Sequence, residues 1–148
     1  MHEISETIDI AAPASHEWSI IADLKDYHRW NTFVISAESD QTPISKGAKT
    51  IITIKPLPES EPAKYTNEIL VVEPARELRW TGCLLHAVVF NTEHWCTIEE
   101  IDDQNCRFSQ GEIFTGLLVP LVGLGKTFEE LKQGYMRMNK DLKAFAES

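Results

Sequence analysis

The stretch Asn91 to Glu100, NTEHWCTIEE, alternates as a β-strand does and seats a histidine where a purely structural strand more often carries an aliphatic residue. His94 shares its face with Phe90, Thr92, Cys96 and Ile98, the more apolar of the two sets. On the next predicted strand Phe108, Gln110, Glu112 and Phe114 have one parity. Pairing Ile98 with Phe108 across the two strands places Glu112 opposite His94, and a slip of two residues would leave them diagonal neighbours about 7–8 Å apart. An imidazole and a carboxylate side by side have two readings. In the structural one they satisfy each other or ordered water, because unpaired burial of either is costly. In the functional one Glu112 orients the imidazole and raises its basicity, and His94 moves a proton on a bound carbonyl compound.

Trp80, in ELRW, is expected on the same inward surface, with Phe90 and Phe114 beside the pair and Trp30 and Tyr65 as further wall candidates. Tyr135, Phe128, Leu131 and Met138 are expected to close the wall from a terminal helix; a buried tyrosine needs a partner, either a ligand oxygen or a main-chain carbonyl. Asn31 can be a cap or a ligand contact. Cys96 shares the face of His94, but a buried thiol is usually inert. The chain has no GxGxxG or P-loop pattern, and TEHW is not HExxH. His86 and His94 fall on different sides of a predicted bend, and His2, His16 and His28 lie elsewhere, so neither a metal nor a cofactor is expected.

The elements that must hold these residues can be read in order. Glu3 to Ala11 alternates as a strand, PASHEW opens a helix ending near Asp23, and a short helical turn covers Asp26 to Trp30. Six more strands are predicted near Phe33–Ser39, Ala48–Lys55, Lys64–Val72, Glu77–Gly82, Val89–Ile101 and Cys106–Thr115. Their short links, TPISKG, EPARE and DDQN among them, imply an antiparallel meander, and KPLPESEPAK is read as a surface loop. From Leu117 the period becomes about 3.6. Leu121, Leu124, Phe128, Leu131, Tyr135, Met138, Leu142 and Phe145 then line one face of a long helix, which Gly123 and Gly125 weaken near its start. A seven-stranded curved antiparallel sheet and one helix with a wide apolar stripe bury each other's apolar faces when the sheet wraps around the helix. That α+β arrangement, with two short helices after strand one, is expected to leave a deep apolar pocket.

The segments PASHEWSIIADLKDYHRWN, VVEPARELRW, TEHWCTIEE and GEIFTGLLVPL with MNKDLKAFAE resemble, in that order, the SRPBCC or START-like superfamily and its polyketide cyclase/dehydrase-like branch. The resemblance runs along nearly the whole chain and implies a helix-grip fold over a single domain, residues 1–148. It implies an apolar small molecule bound between sheet and C-terminal helix. Cyclisation or dehydration of a polyketide-like substrate by acid–base chemistry at His94 and Glu112 is one expectation. A non-catalytic lipid or hydrophobic-ligand carrier or sensor is the alternative. A regulator of partner proteins, as among the superfamily's chaperone activators, would need a large exposed apolar patch.

Length and charge agree with this. At 148 residues the chain can bury a core and a hollow. With 23 acidic against 14 basic residues, a net charge of -9 has the wrong sign for nucleic acid. Cys83, Cys96 and Cys106 are odd in number and lack zinc spacing, and the N-terminus lacks a secretion signal. GLLVPLVGLG is too short to span a bilayer. A cytoplasmic monomer or homodimer is the expectation.

Overall fold

The computed structural model describes residues 1–82, 90–122 and 127–148. Seven strands form one antiparallel sheet: β1 (His2–Ile10), β2 (Val34–Ser39), β3 (Lys49–Ile54), β4 (Ala63–Glu73), β5 (Glu77–Gly82), β6 (Asn91–Asp102) and β7 (Asn105–Thr115). The order across the sheet is β1-β7-β6-β5-β4-β3-β2, so the meander from β2 to β7 is completed by β1 on the far side of β7. Between β1 and β2 lie α1 (Ala14–Ile21) and a 3-10 helix (Leu24–Arg29). A four-residue α2 (Val119–Val122) and the long α3 (Thr127–Ala146) follow β7.

Alternation sets the inward face of the sheet: along β6, Thr92, His94, Cys96 and Ile98 are buried while Asn91, Glu93, Trp95 and Thr97 between them are half-exposed. The predicted register is found, with Ile98 opposite Phe108 and His94 opposite Glu112. Trp80 stands opposite His94 on the other side, and Ile69 opposite Trp80. One cross-sheet row thus runs Ile69, Trp80, His94, Glu112 and Ile4. The next row pairs Leu78, Cys96 and Gln110.

The start of the helix expected from Leu117 is corrected: the described helical residues begin at Val119 (α2) and resume at Thr127 (α3). The backbone turns at Gly116, whose φ of +115° suits a residue without Cβ, and Leu117 and Leu121 end exposed rather than on the core stripe. The stripe position at Leu124, with Gly123, Gly125 and Lys126, lies outside the described residues, as do Cys83, His86 and Val89. From Thr127 the stripe holds, burying Tyr135, Met138 and Leu142.

Polar ties fix α3 in place. Gln110 Nε2 donates to Asn139 Oδ1 at 2.6 Å and to the Tyr135 carbonyl at 3.4 Å. Arg137 donates to Thr32 Oγ1 and to the carbonyls of Thr32, Lys55 and Pro56, and Asp141 accepts from the amide and hydroxyl of Thr32. These bonds clamp the helix to the segments that enter β2 and leave β3. Gly134 permits a close approach: a Cβ there would come within 2.8 Å of the Phe33 ring. Among the described residues no helix is long and apolar enough to cross a membrane.

Candidate functional site

Between the sheet and α3 lies a cavity of about 610 Å³, partly open to solvent and within the size range of small-molecule sites. Its apolar wall is built from successive elements. Phe33 and Val34 come from the start of β2, Ile52 and Ile54 from β3, Tyr65 from β4, Trp80 from β5, Phe90 from just before β6, Phe114 from β7, and Leu131 and Tyr135 from α3. Strand alternation and the first two turns of the helical stripe are what aim them inward. One cluster of polar groups lies where β6, β7 and α3 meet, with Thr92, His94, Glu112 and Tyr135 lining the hollow, and a second, Lys64, Thr66 and Asn67, comes from β4.

His94 is 6% exposed. Its ring stacks on Trp80, with centroids 4.6 Å apart and planes 19° apart, and meets Tyr135 edge-on at 5.2 Å. Its Nε2 lies 3.6 Å from Cys96 Sγ. Burial lowers its pKa to about 3 against a smaller opposing effect of Gln110, so the imidazole is neutral across the physiological range. Glu112 is bonded elsewhere: the Tyr135 hydroxyl donates to its Oε2, and Thr92 gives it a second side-chain hydrogen bond. Burial pushes the Glu112 carboxyl up, and those two hydrogen bonds partly oppose the rise. Burial likewise pushes Tyr135 well above the usual phenol range, helped by the neighbouring Glu112.

The expectation that Glu112 orients His94 and raises its basicity is therefore corrected. The two are register partners, but the carboxylate binds hydroxyls and the imidazole packs flat on an indole, and burial makes the ring less basic. Wall placement needs correction at three positions. Trp30 stacks on Phe145 at 6.2 Å and tilts against Tyr27 at 5.0 Å, in the plug formed by the 3-10 helix. Phe128 stands behind Phe114, between that ring and His2. Met138 is fully buried further along α3, in the hydrophobic core beside the cavity rather than in its lining. The apolar stripe is longer than the hollow it borders. Asn31 neither caps a helix nor lines the cavity: its Oδ1 accepts from the amides of Phe33 at 2.9 Å and Val34 at 2.8 Å, in the turn that leads into β2.

Several lining residues escaped the sequence reading. Thr92 was seen on the inward face without a role, although a hydroxyl two residues from His94 is placed to serve the same cross-strand carboxylate. Phe33, Ile52 and Ile54 fall within predicted strands, yet nothing in the chain says which strand positions border a hollow rather than a packed core. Lys64, Thr127 and Glu130 read as ordinary surface residues and nevertheless line the cavity. Among the described residues no group of three or more His, Cys, Asp or Glu could hold a metal ion.

Comparison with known proteins places this geometry. The family model described as polyketide cyclase / dehydrase and lipid transport matches residues 1–147. No curated protein matches the chain in sequence. Norcoclaurine synthase of Thalictrum flavum, solved as a point mutant with a transition-state analogue, superposes with a TM-score of 0.72 at 12% identity, covering 99% of this chain and 94% of that one. The Zhui aromatase/cyclase from a Streptomyces species gives 0.68 at 15% identity, covering 99% of this chain and 93% of its own. The di-domain aromatase/cyclase BexL gives 0.65 at 14% identity over 94% of this chain, which spans about half of that protein, 47%. Identities this low establish a shared fold. Together with the match along residues 1–147, the seven-stranded sheet closed on α3 shows that the chain belongs to the SRPBCC/START-like superfamily, in its polyketide cyclase / dehydrase and lipid transport family.

Proposed function

We propose that the protein binds one apolar small molecule in the hollow between its sheet and α3. The observation that carries this reading is a cavity of about 610 Å³ walled by Phe33, Tyr65, Trp80, Phe90 and Phe114, with a cluster of polar groups where β6, β7 and α3 meet. Burial of ligand surface supplies the affinity, at about 25 cal/mol per Å² before ordering costs, and the polar end sets orientation. The neutral fluorophore N-phenyl-1-naphthylamine is expected to bind with a 1:1 stoichiometry and to brighten on binding. Leu131→Trp, which puts an indole into the hollow from α3, should weaken that binding at least about tenfold, or 1.4 kcal/mol. Equal binding by both proteins would place the probe outside the cavity and sink this reading.

Acid–base chemistry on the bound molecule is a second reading, favoured by one observation. Glu112 is a buried carboxylate lining the hollow, with its pKa raised and Tyr135 and Thr92 bonded to it. A carboxylate in that state is a better proton acceptor than a solvated one. In this reading Glu112 takes a proton from the substrate, the Tyr135 and Thr92 hydroxyls hold the carboxylate in place, and the aromatic wall confines the substrate to one reactive conformer. The similar structures described as aromatase/cyclases and a synthase support it.

A further inference from the structure

The polar end of the cavity has few hydrogens to offer a ligand. The Tyr135 hydroxyl hydrogen is committed to Glu112, and Thr92 is bonded to the same carboxylate. His94, as a neutral imidazole, carries one proton and one lone pair. Its Nε2 edge is turned toward the row of Cys96 and Gln110, which are register partners, since Nε2 lies 3.6 Å from Cys96 Sγ. Gln110 has spent its amide nitrogen on Asn139 and the Tyr135 carbonyl, while its Oε1 is buried without a hydrogen-bond partner. A buried acceptor in that state costs about 1–3 kcal/mol, so the ring N–H belongs on the Nε2 side, facing it. Nδ1 then keeps the lone pair. Glu112, the oxygens of Tyr135 and Thr92, and Nδ1 of His94 are all acceptors in this arrangement. The other polar lining residues stand elsewhere: Lys64, Thr66 and Asn67 on β4, two strands from β6, and Thr127 and Glu130 on the first turn of α3.

We propose that this end of the cavity selects a ligand presenting an O–H or N–H group to Glu112 and His94, and disfavours one presenting a carboxylate there. The proposal rests on the cavity being the ligand site, and it orients that site's candidates: hydroxylated or amine-bearing ring compounds fit this end, and a carboxylate is turned away from it, toward Lys64 on β4. In the catalytic reading the same hydrogen is the one Glu112 would take.

Three probes of one ring system test it at pH 7.5 by calorimetry: naphthalene, 2-naphthol and 2-naphthoate. The expected ranking puts 2-naphthol about tenfold tighter than naphthalene, and 2-naphthoate at least about tenfold weaker than 2-naphthol. Glu112→Gln brings an amide donor to the site and should narrow the gap between 2-naphthol and 2-naphthoate by about tenfold. If naphthalene binds while 2-naphthol gains nothing, or 2-naphthoate matches 2-naphthol, the selectivity proposal falls and the cavity reading stands. Should no probe bind at all, both fall. The wild-type ranking decides the matter even if the variant does not fold.

Discussion

Glu17→Gln is expected to stabilise the protein by about 3–5 kcal/mol at pH 8.5 and to change it little at pH 4. Glu17 sits in α1 with no exposed surface, and both of its carboxyl oxygens are buried without a hydrogen-bond partner. Burial raises its pKa from 4.5 to about 8. Its presence pushes neighbouring groups the same way: Cys106 rises to about 11, and Cys96 rises further, both mainly through their own burial with Glu17 adding to it. The sign follows from proton counting. Between pH 4.5 and 8 the unfolded chain releases the Glu17 proton while the folded chain keeps it, so stability is complete below 4.5 and is lost as pH rises toward 8. Glutamine resembles the protonated acid in shape and cannot ionise. Urea denaturation of both proteins at the two pH values reads the difference directly. An equal effect at pH 4 and pH 8.5 would show the carboxyl to be solvated or paired.

The acid limb belongs to His94. Its pKa falls from 6.5 in the unfolded chain to about 3 in the folded one. In that window the unfolded state binds the extra proton, so stability is complete above pH 6.5 and declines as pH falls toward 3. The loss amounts to about 3–5 kcal/mol. His94→Gln should flatten this part of the pH profile by that amount. Glutamine's own cost at the site is independent of pH, so it shifts the curve without tilting it. With Glu17 opposing from the alkaline side, the wild-type protein should be most stable between about pH 4.5 and 6.5. An unchanged acid slope in His94→Gln would mean that the imidazole titrates in water and does not lie flat on Trp80.

These two residues also mark what the sequence could and could not disclose. The register that sets His94 against Glu112 was legible because Ile98 and Phe108 had to share the core, and a strand that alternates strictly has few ways to satisfy that. The buried face of α3 was legible from its stripe, which runs from Phe128 onward. The exposure of Leu121 was not, since Leu117 and Leu121 continue the helical spacing while the backbone turns at Gly116. Glu17 reads as a solvated acid in the first turn of a helix, and only the docking of α1 reveals that it is buried. The partner of Glu112 was missed for a related reason. Alternation identifies neighbours within the sheet, whereas Tyr135 reaches the carboxylate from another element. Trp30 and Met138 have the chemistry of wall residues, and only the three-dimensional extent of the hollow assigns them to the packed core.

Native mass spectrometry of protein purified from its own host tests the central claim most directly, because it asks whether one molecule occupies the hollow. The wild-type protein is expected to carry a single small-molecule adduct per chain, which Leu131→Trp lacks. Identical spectra for the two proteins, adduct or none, would contradict the account.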